Sequence, residues 1–277
     1  MKKLIALLLA LAMTACLFAC GETEKTPATT TEAPATTDAP TEAPTQAPTE
    51  DTKAPEAGAV MSYADYVAAD LEAECTVEFY VQATQGWWFD SEVNHGKITI
   101  YGQSAEGGYF AYEVNCDEET GKKLVPGTKI RVTGEKAEFN GEVEIMNGTL
   151  EILEAEAWVA EPLDVTALLG TDELAGHINK KIAIKDAKVV ASKNADGAES
   201  AYLYKWNGAG KEGDDLYFSV SVGEKTYTLV VESYLCGLGT DTYEAVRGLK
   251  IGDTIDLEGY LYWYDGAQPH VYSVTVK

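Results

Sequence analysis

Histidine is scarce in this chain of 277 residues and occurs only at His95, His177 and His270. None of the three stands beside a serine or cysteine in a nucleophile motif, and no HExxH, GxSxG or Walker sequence is present. Paired carboxylates are so frequent in this acidic chain that they single out no acid–base pair. The sequence therefore predicts a protein that is not an enzyme and has no catalytic residues.

Positive charge is also in short supply. The chain has 21 Lys and Arg against 45 Asp and Glu, which gives a formal net charge of −24. A field of this sign repels the phosphate backbone that dominates nucleic-acid affinity, and it tolerates neutral ligands. Composition therefore argues against nucleic acid as a partner.

Cysteine is too sparse to form a disulfide framework. Beyond the first twenty residues the chain has Cys75, Cys116 and Cys236, which cannot all pair within one chain and show no CxxC spacing. A bridge between Cys75 and Cys116 is one alternative. We expect free thiols.

Long apolar runs are absent except at the start of the chain. Two lysines precede an apolar run of residues 4–19, about 16 residues and short of the roughly 20 that span a bilayer. The run ends in Leu17-Phe18-Ala19-Cys20-Gly21, which resembles a bacterial lipobox, with Cys16 as a second candidate. The resemblance implies a signal peptide over residues 1–20 and lipidation of Cys20 with acyl chains such as palmitate.

Residues 21–59 are rich in Thr, Pro, Ala and Glu, and variants of Thr-Glu-Ala-Pro recur there. Without aromatic or large aliphatic residues this segment cannot bury enough surface to offset chain entropy. It is predicted to be a disordered stalk. Anchor and stalk together predict an extracellular protein held at the cell membrane by its lipid.

The remaining residues contain an internal repeat. Residues 124–134 read LVPGTKIRVTG and residues 249–259 read LKIGDTIDLEG, and Asn140-Gly141 and Asp265-Gly266 follow at the same offset of 125 residues. A period of this length indicates a duplicated domain, because solenoid units have about 20–50 residues. The predicted domains span residues 60–160 and 161–277.

Each repeat has alternating apolar segments separated by turn signals. In the first repeat, strands are predicted over 76–83, 97–101, 109–114, from 130, and over 142–153, after a short helix capped by Ser62. In the second, they are predicted over 165–169, 182–191, 216–222, 226–231, 254–264 and 270–276, with a helix over 240–249. Five strands with a helix or loop between the third and fourth is the order of the OB-fold, so the predicted fold is all-β with two tandem five-stranded OB-fold-like barrels.

A wider resemblance rests on particular residues of the first repeat. Ser62-Tyr-Ala-Asp-Tyr, Tyr80-Val-Gln-Ala, Trp87-Trp88, Tyr109-Phe110 and Gly141-Glu142-Val143-Glu144-Ile145 together resemble a group of bacterial surface lipoproteins with tandem OB-like domains. The resemblance implies fold and location and brings no catalytic residues. The second repeat departs from it by an insertion of about 20 residues between its first two strands.

Aromatic residues are the strongest indication of a ligand site. OB-folds bind ligands across strands two and three, between the loop joining strands one and two and the loop joining strands four and five. Along the fourth strand of the second repeat, Tyr260, Tyr262 and Tyr264 share one parity and are predicted to face outward as a stacking platform. The predicted ligand-binding residues are Trp87, Trp88, Phe89 and Phe139 in the first repeat and Tyr202, Tyr204, Trp206, Tyr260, Tyr262 and Tyr264 in the second. The structural alternative is that these rings cover the barrel ends or join the repeats.

Asn194, Asp196 and Glu199 form the best metal candidate. Their oxygen ligands alternate around Gly197, which gives half the spacing of a calcium loop, but the first ligand and the distant bidentate Glu are missing. The alternative is a solvated acidic loop, and no other cofactor is predicted.

The sequence thus predicts a non-catalytic binding module, with a glycan or cell-envelope polymer as the first choice of ligand. Single-stranded nucleic acid is one alternative because OB-folds often bind it. A structural or adaptor role with a protein partner is the other.

Overall fold

The computed structural model describes residues 58–277, which lie within one compact unit, Lys53–Lys277. The predicted signal peptide, both lipidation candidates and nearly all of the predicted stalk lie outside the described residues. The lipid anchor and the extracellular location therefore stay predictions. In the described part of the chain, no helix has both the length and the apolar character that a membrane crossing requires.

The first half of the described chain contains six strands and two short helices. In chain order they are α1 (Tyr63–Ala68), β1 (Glu74–Thr84), β2 (Trp88–Asp90), β3 (His95–Gln103), β4 (Gly108–Asn115), α2 (Glu118–Gly121), β5 (Lys129–Phe139) and β6 (Glu142–Ile152). Helix α1 begins with a capping box, because the Ser62 side chain accepts from the Asp65 amide and the Asp65 carboxylate accepts from the Ser62 amide. The predicted helix start is confirmed.

Five of these strands form a closed barrel, which we call the first barrel. Strand β1 pairs with β3 and β5, β3 pairs with β4, and β5 pairs with β6, all antiparallel. The parallel pair β4–β6 closes the circuit. This is the strand order of an OB-fold, and its interior is a cluster of buried residues that includes Phe79, Ile100 and Ile145.

The second half has nine strands. They are β7 (Leu163–Asp164), β8 (Lys181–Val190), β9 (Ser192–Lys193), β10 (Glu199–Ser200), β11 (Tyr202–Tyr204), β12 (Leu216–Val222), β13 (Lys225–Val231), β14 (Thr254–Tyr260) and β15 (His270–Val276). Two 3₁₀ helices, Thr166–Leu168 and Asp172–His177, lie between β7 and β8, and helix α3 (Asp241–Arg247) precedes β14.

A second barrel forms from β8, β12, β13, β14 and β15. It repeats the order of the first, with β8 between β12 and β14 and with a parallel pair β13–β15. Helix α3 stands between the third and fourth barrel strands and is capped by Thr240. The predicted fold, all-β with two OB-fold-like barrels, is confirmed.

The repeated glycines occupy the same backbone positions in both barrels. Gly127 and Gly252 have φ of 92° and 100°, a left-handed conformation that favours glycine. At Gly134 and Gly259 the strand register shifts, and a Cβ would lie 2.6 and 2.7 Å from a backbone oxygen of the neighbouring strand. The repeat therefore marks the places where each barrel must bend and turn.

Two predicted strands of the second repeat were wrong in extent. Residues 165–169 form a 3₁₀ turn, because the Asp164 carboxylate accepts from the Thr166 amide and starts a tight turn. Strand β14 ends at Tyr260, where its pairing with β15 stops, and not at Tyr264. A tight turn from the Tyr262 amide to the Tyr260 carbonyl ends the ladder.

The two barrels are joined by an aromatic cluster, which we call the seam. Its buried members are Tyr101 and Phe110 of the first barrel and Tyr260 of the second, with Tyr262 and Tyr272 packed against them. The rings of Tyr101 and Tyr260 stack with centroids 4.5 Å apart. Both barrels thus belong to one compact unit, and the division into domains at residue 160 stays a prediction.

Candidate ligand-binding groove

An open groove of about 300 Å³ lies on the β3–β4 face of the first barrel. Its lining residues come from the segment after β1, which includes β2, from strands β3 and β4, and from the loop after β13: Gln85, Gly86, Trp88, Thr99, Tyr112, Glu113 and Tyr234. Strands β3 and β4 are the second and third of the barrel, and the loop after β1 joins its first two strands. The groove therefore occupies part of the surface on which OB-folds hold ligands.

A β-bulge in β4 shapes the floor of the groove. Ile98 pairs with Val114 and Ile100 pairs with Ala111, so that Tyr112 and Glu113 together stand opposite the single residue Thr99. Glu113 has φ of 49°, a conformation uncommon for a residue other than Gly or Asn, and its amide donates to Thr99 Oγ1 at 3.2 Å. The bulge brings two adjacent side chains to the groove, where regular alternation would bring one.

The bulge also breaks the alternation of side chains along β4. A regular strand over 109–114 would place Phe110, Tyr112 and Val114 on one face, but Val114 lies in the core of the first barrel and Phe110 lies in the seam. Tyr112 is exposed at the groove. Partial burial, and then its hydrogen bond with Glu113, raise the pKa of the Tyr112 hydroxyl to about 12, so this group remains a neutral donor at physiological pH.

A lysine is held at the groove by two carboxylates. Lys97 Nζ lies 2.9 Å from Asp90 Oδ2 and 2.9 Å from Glu113 Oε2. It also lies 5.4 Å from the centre of the Trp88 ring, within the range of a cation–π contact. These contacts fix the ring of Trp88 over the edge of the sheet and leave 41% of that residue exposed.

The far wall of the groove comes from the second barrel. Tyr234 follows β13, and its carbonyl accepts from the Gly86 amide at 3.3 Å. The residue is 75% exposed, which makes it the most exposed aromatic residue lining the groove. Both barrels therefore contribute rings to one surface.

The adjacent residues Trp87 and Trp88, which follow β1, have different surroundings. Trp87 is half-buried against the core of the first barrel, and its Nε1 donates to the Cys116 carbonyl at 2.9 Å. Trp88 lies in β2 and faces the groove. Phe89 is exposed and lies 6.5 Å from the Trp87 ring, outside the groove. Of these three predicted ligand residues, the structure brings Trp88 alone to the groove.

The prediction of an outward row of tyrosines was wrong for Tyr260 and Tyr262. Tyr260 is buried in the seam, and its hydroxyl donates to the Gln82 carbonyl at 3.1 Å. Tyr262 stacks on His270 with centroids 4.1 Å apart and also meets Phe110. These rings do point away from the core of the second barrel, but the first barrel covers them.

Tyr264 and Phe139 stay exposed at the edge of the seam. Their rings lie 5.9 Å apart, and the hairpins that carry them are joined by a hydrogen bond of 2.8 Å from the Asp265 amide to the Asn140 carbonyl. This pair lies outside the groove described above. The structure thus places these two predicted ligand residues together at the contact between the barrels.

The insertion of the second barrel does not bring its three predicted ligand residues, Tyr202, Tyr204 and Trp206, onto one face. Strand β11 pairs with the edge of β12, and Tyr202 and Tyr204 pack against the core of the second barrel with centroids 5.5 Å apart. Lys205 has φ of 60°, which ends the alternation before Trp206. Trp206 is therefore separated from the tyrosines and is 73% exposed.

A buried polar chain leads from the groove into the seam. Gln85 Nε2 donates to the Tyr101 hydroxyl at 3.0 Å, and this hydroxyl lies 2.7 Å from His270 Nδ1. His270 Nε2 lies 3.6 Å from Glu232 Oε1. Burial lowers the pKa of His270 to about 3, and burial followed by repulsion from Asp215 raises the pKa of Glu232 to about 8.

The predicted calcium ligands have other partners in the structure. Asn194 Oδ1 accepts from the amides of Asp196 and Ala198, and the Glu199 carboxylate pairs with Lys193. Within residues 58–277, no three His, Cys, Asp or Glu side chains come together as a metal site. The calcium hypothesis stays a prediction. The expectation of free thiols is confirmed for Cys75, Cys116 and Cys236, all of which are buried.

No protein-family model and no curated protein matches the chain. Among solved structures, a murine DNA-binding protein bound with double-stranded DNA aligns at 11% identity and a TM-score of 0.33, over 73% of this chain and 97% of that one. A Replication Protein A heterotrimer bound to single-stranded DNA aligns at 7% identity and a TM-score of 0.32, over 74% of this chain and 49% of that one. At these values neither alignment indicates what this chain binds.

Proposed function

We propose that the protein is a non-catalytic carbohydrate-binding module and that the groove is its binding site. The observation that carries the proposal is the convergence of Trp88, Tyr112 and Tyr234 on one open surface. Exposed aromatic faces bind flat, partly apolar ligands, and sugar rings present such faces. The side chains of Gln85 and Thr99 add hydrogen-bonding groups beside the rings.

Single-stranded nucleic acid is the second candidate, because OB-fold faces with aromatic rings also stack bases. Charge favours the sugar. Glu113 is the one charged residue that lines the groove. Lys97, which pairs with Glu113, also pairs with Asp90. A phosphate backbone on this surface would meet carboxylates without a free cation to neutralise it.

The test is direct binding of soluble oligosaccharides to the full chain, measured by calorimetry and tryptophan fluorescence. Suitable probes are cellohexaose, laminarihexaose and N-acetylchitohexaose, with oligo-dT as the nucleic-acid probe. We expect at least one hexasaccharide to bind and Trp88→Ala to weaken its binding by about fivefold or more, since stacking on one ring contributes about 1–3 kcal/mol.

Trp206→Ala is the matched control, because Trp206 is more exposed than Trp88 and lies outside the groove. It should leave the affinity unchanged within about twofold. Oligo-dT binding that depends on Trp88 would replace the carbohydrate proposal by the nucleic-acid one. Failure of every probe, sugar and oligo-dT alike, would sink both.

A further inference from the structure

The lining of the groove contains one carboxylate. Glu113 is the only Asp, Glu, Lys, Arg or His among its lining residues, and the bulge of β4 brings it there. A positive φ at a glutamate costs about 1 kcal/mol or more, and non-glycine residues in this conformation cluster at ligand sites. The side chain that this strained backbone presents to the groove is a carboxylate.

The cation next to the groove does not offset that carboxylate. Lys97 Nζ lies 2.9 Å from Asp90 as well as from Glu113, so one positive charge is shared between two negative ones. Glu144 is a further carboxyl close to Glu113, since repulsion from Glu113 adds to burial in raising its pKa. The Lys97, Asp90 and Glu113 group therefore has a net negative charge even when Glu144 is protonated.

We propose that Glu113 makes the groove selective for sugars that carry a free amino group and disfavours uronic and sulfated sugars. This inference rests on the carbohydrate function proposed above. A protonated sugar amine can donate a charge-assisted hydrogen bond to Glu113 while its ring stacks on Trp88 or Tyr112. The aromatic faces attract the same cation through their quadrupoles. A sugar carboxylate or sulfate in that position meets repulsion and finds no free donor cation.

Three β-1,4-linked hexasaccharides test the proposal, because they share a backbone and differ at C2: chitosan hexaose carries an amine, N-acetylchitohexaose an amide and cellohexaose a hydroxyl. At mildly acidic pH, where the amine is protonated, we expect chitosan hexaose to bind the full chain most tightly. Glu113→Gln should weaken it about tenfold or more, since hydrogen bonds to charged groups are the strong ones. The affinity for cellohexaose should change by less than about twofold.

Two further variants keep the result interpretable. Glu224→Gln removes one negative charge at an exposed turn of the second barrel and should leave chitosan hexaose binding unchanged, which separates the groove from the general acidic field. Glu113→Gly removes the carboxylate and also relieves the positive φ, so it should weaken chitosan hexaose while raising the melting temperature.

The failures of the two proposals are distinguishable. If cellohexaose binds through Trp88 but chitosan hexaose binds no better, or if Glu113→Gln has no effect, the charge preference is overturned and the carbohydrate function stands. An oligouronate that binds as tightly as chitosan hexaose would likewise overturn the charge preference and leave the carbohydrate function standing. If no oligosaccharide binds, both proposals fail together.

Discussion

Replacing Tyr260 by alanine is expected to lower the free energy of unfolding by about 3–5 kcal/mol, the usual cost of truncating a buried aromatic side chain. Tyr260 is 3% exposed, and its ring stacks on that of Tyr101. The centroids of the Tyr260 and Tyr272 rings are 5.2 Å apart. The substitution also removes the hydroxyl that donates to the Gln82 carbonyl. Chemical denaturation of the full chain, followed by circular dichroism and tryptophan fluorescence, measures the change.

The Tyr260→Ala variant should also unfold less cooperatively. Each barrel has its own core, and the seam is the apolar cluster that contains residues of both. Once the seam is weakened, the two barrels can unfold at different denaturant concentrations, so the two probes should no longer give coincident transitions. Tyr234→Ala is the control, because Tyr234 is exposed and its hydrogen bond to Gly86 uses its backbone. An equal loss of stability in both variants would show that the seam does not couple the barrels.

Local chemistry made the fold predictable. Ser62 caps helix α1 as its side chain predicts, and Asn140-Gly141 adopts the two positive φ angles, 52° and 90°, of a tight hairpin turn. The repeated glycines mark the bends of both barrels. These features depend on residues close in sequence, which is why they could be found without knowledge of the tertiary structure.

The seam was harder to predict because it depends on contacts between distant residues. Strand periodicity correctly separates Leu261 from Tyr260 and Tyr262, with Leu261 in the core of the second barrel. It says nothing of what lies on the outer side, and there the first barrel covers both tyrosines. An alternating row of tyrosines has the same sequence pattern whether its outer side faces water or a second barrel.

The groove shows a related limit. Trp88 was predicted from its loop, but Tyr112 and Glu113 reach the groove through a β-bulge. The residue with positive φ in this bulge is a glutamate, so the sequence has no glycine or asparagine there to indicate it. Tyr234 lies far along the chain and joins the site only because the barrels pack together. The signal that could have found it is an aromatic residue in the loop between the third strand and the helix of the second barrel.

A carboxyl buried between the two barrels gives the stability of the protein a pH dependence. Glu142 is fully buried, its Oε2 accepts from the Trp263 amide at 2.7 Å, and its Oε1 has no hydrogen-bond partner. Burial raises its pKa to about 8, against an ordinary value of 4.5. Between these values the unfolded chain releases the proton while the folded chain keeps it, so stability falls as pH rises.

Glu142→Gln is therefore expected to stabilise the protein at pH 8 by about 3–5 kcal/mol and to have little effect below pH 4.5, where both states hold the proton. The magnitude follows from about 1.4 kcal/mol per unit of pKa difference. Glutamine keeps an oxygen that can accept from the Trp263 amide and removes only the group that ionises.

The effect of Glu142 on the pH dependence of stability is clearest between about pH 7.5 and 8. Glu232, with its raised pKa, acts in the same direction as Glu142. His270 acts in the opposite direction, because its folded pKa of about 3 lies below the ordinary 6.5, and its contribution to the slope fades as the pH rises above 6.5. Denaturation at several pH values measures how steeply the free energy of unfolding falls as pH rises. In this window we expect the slope for the Glu142→Gln variant to be about half that of the unsubstituted protein. Glu138→Gln, at an exposed position of the same hairpin, should leave the slope unchanged. An unaltered slope in Glu142→Gln would mean that Glu142 ionises as freely in the folded protein as in water.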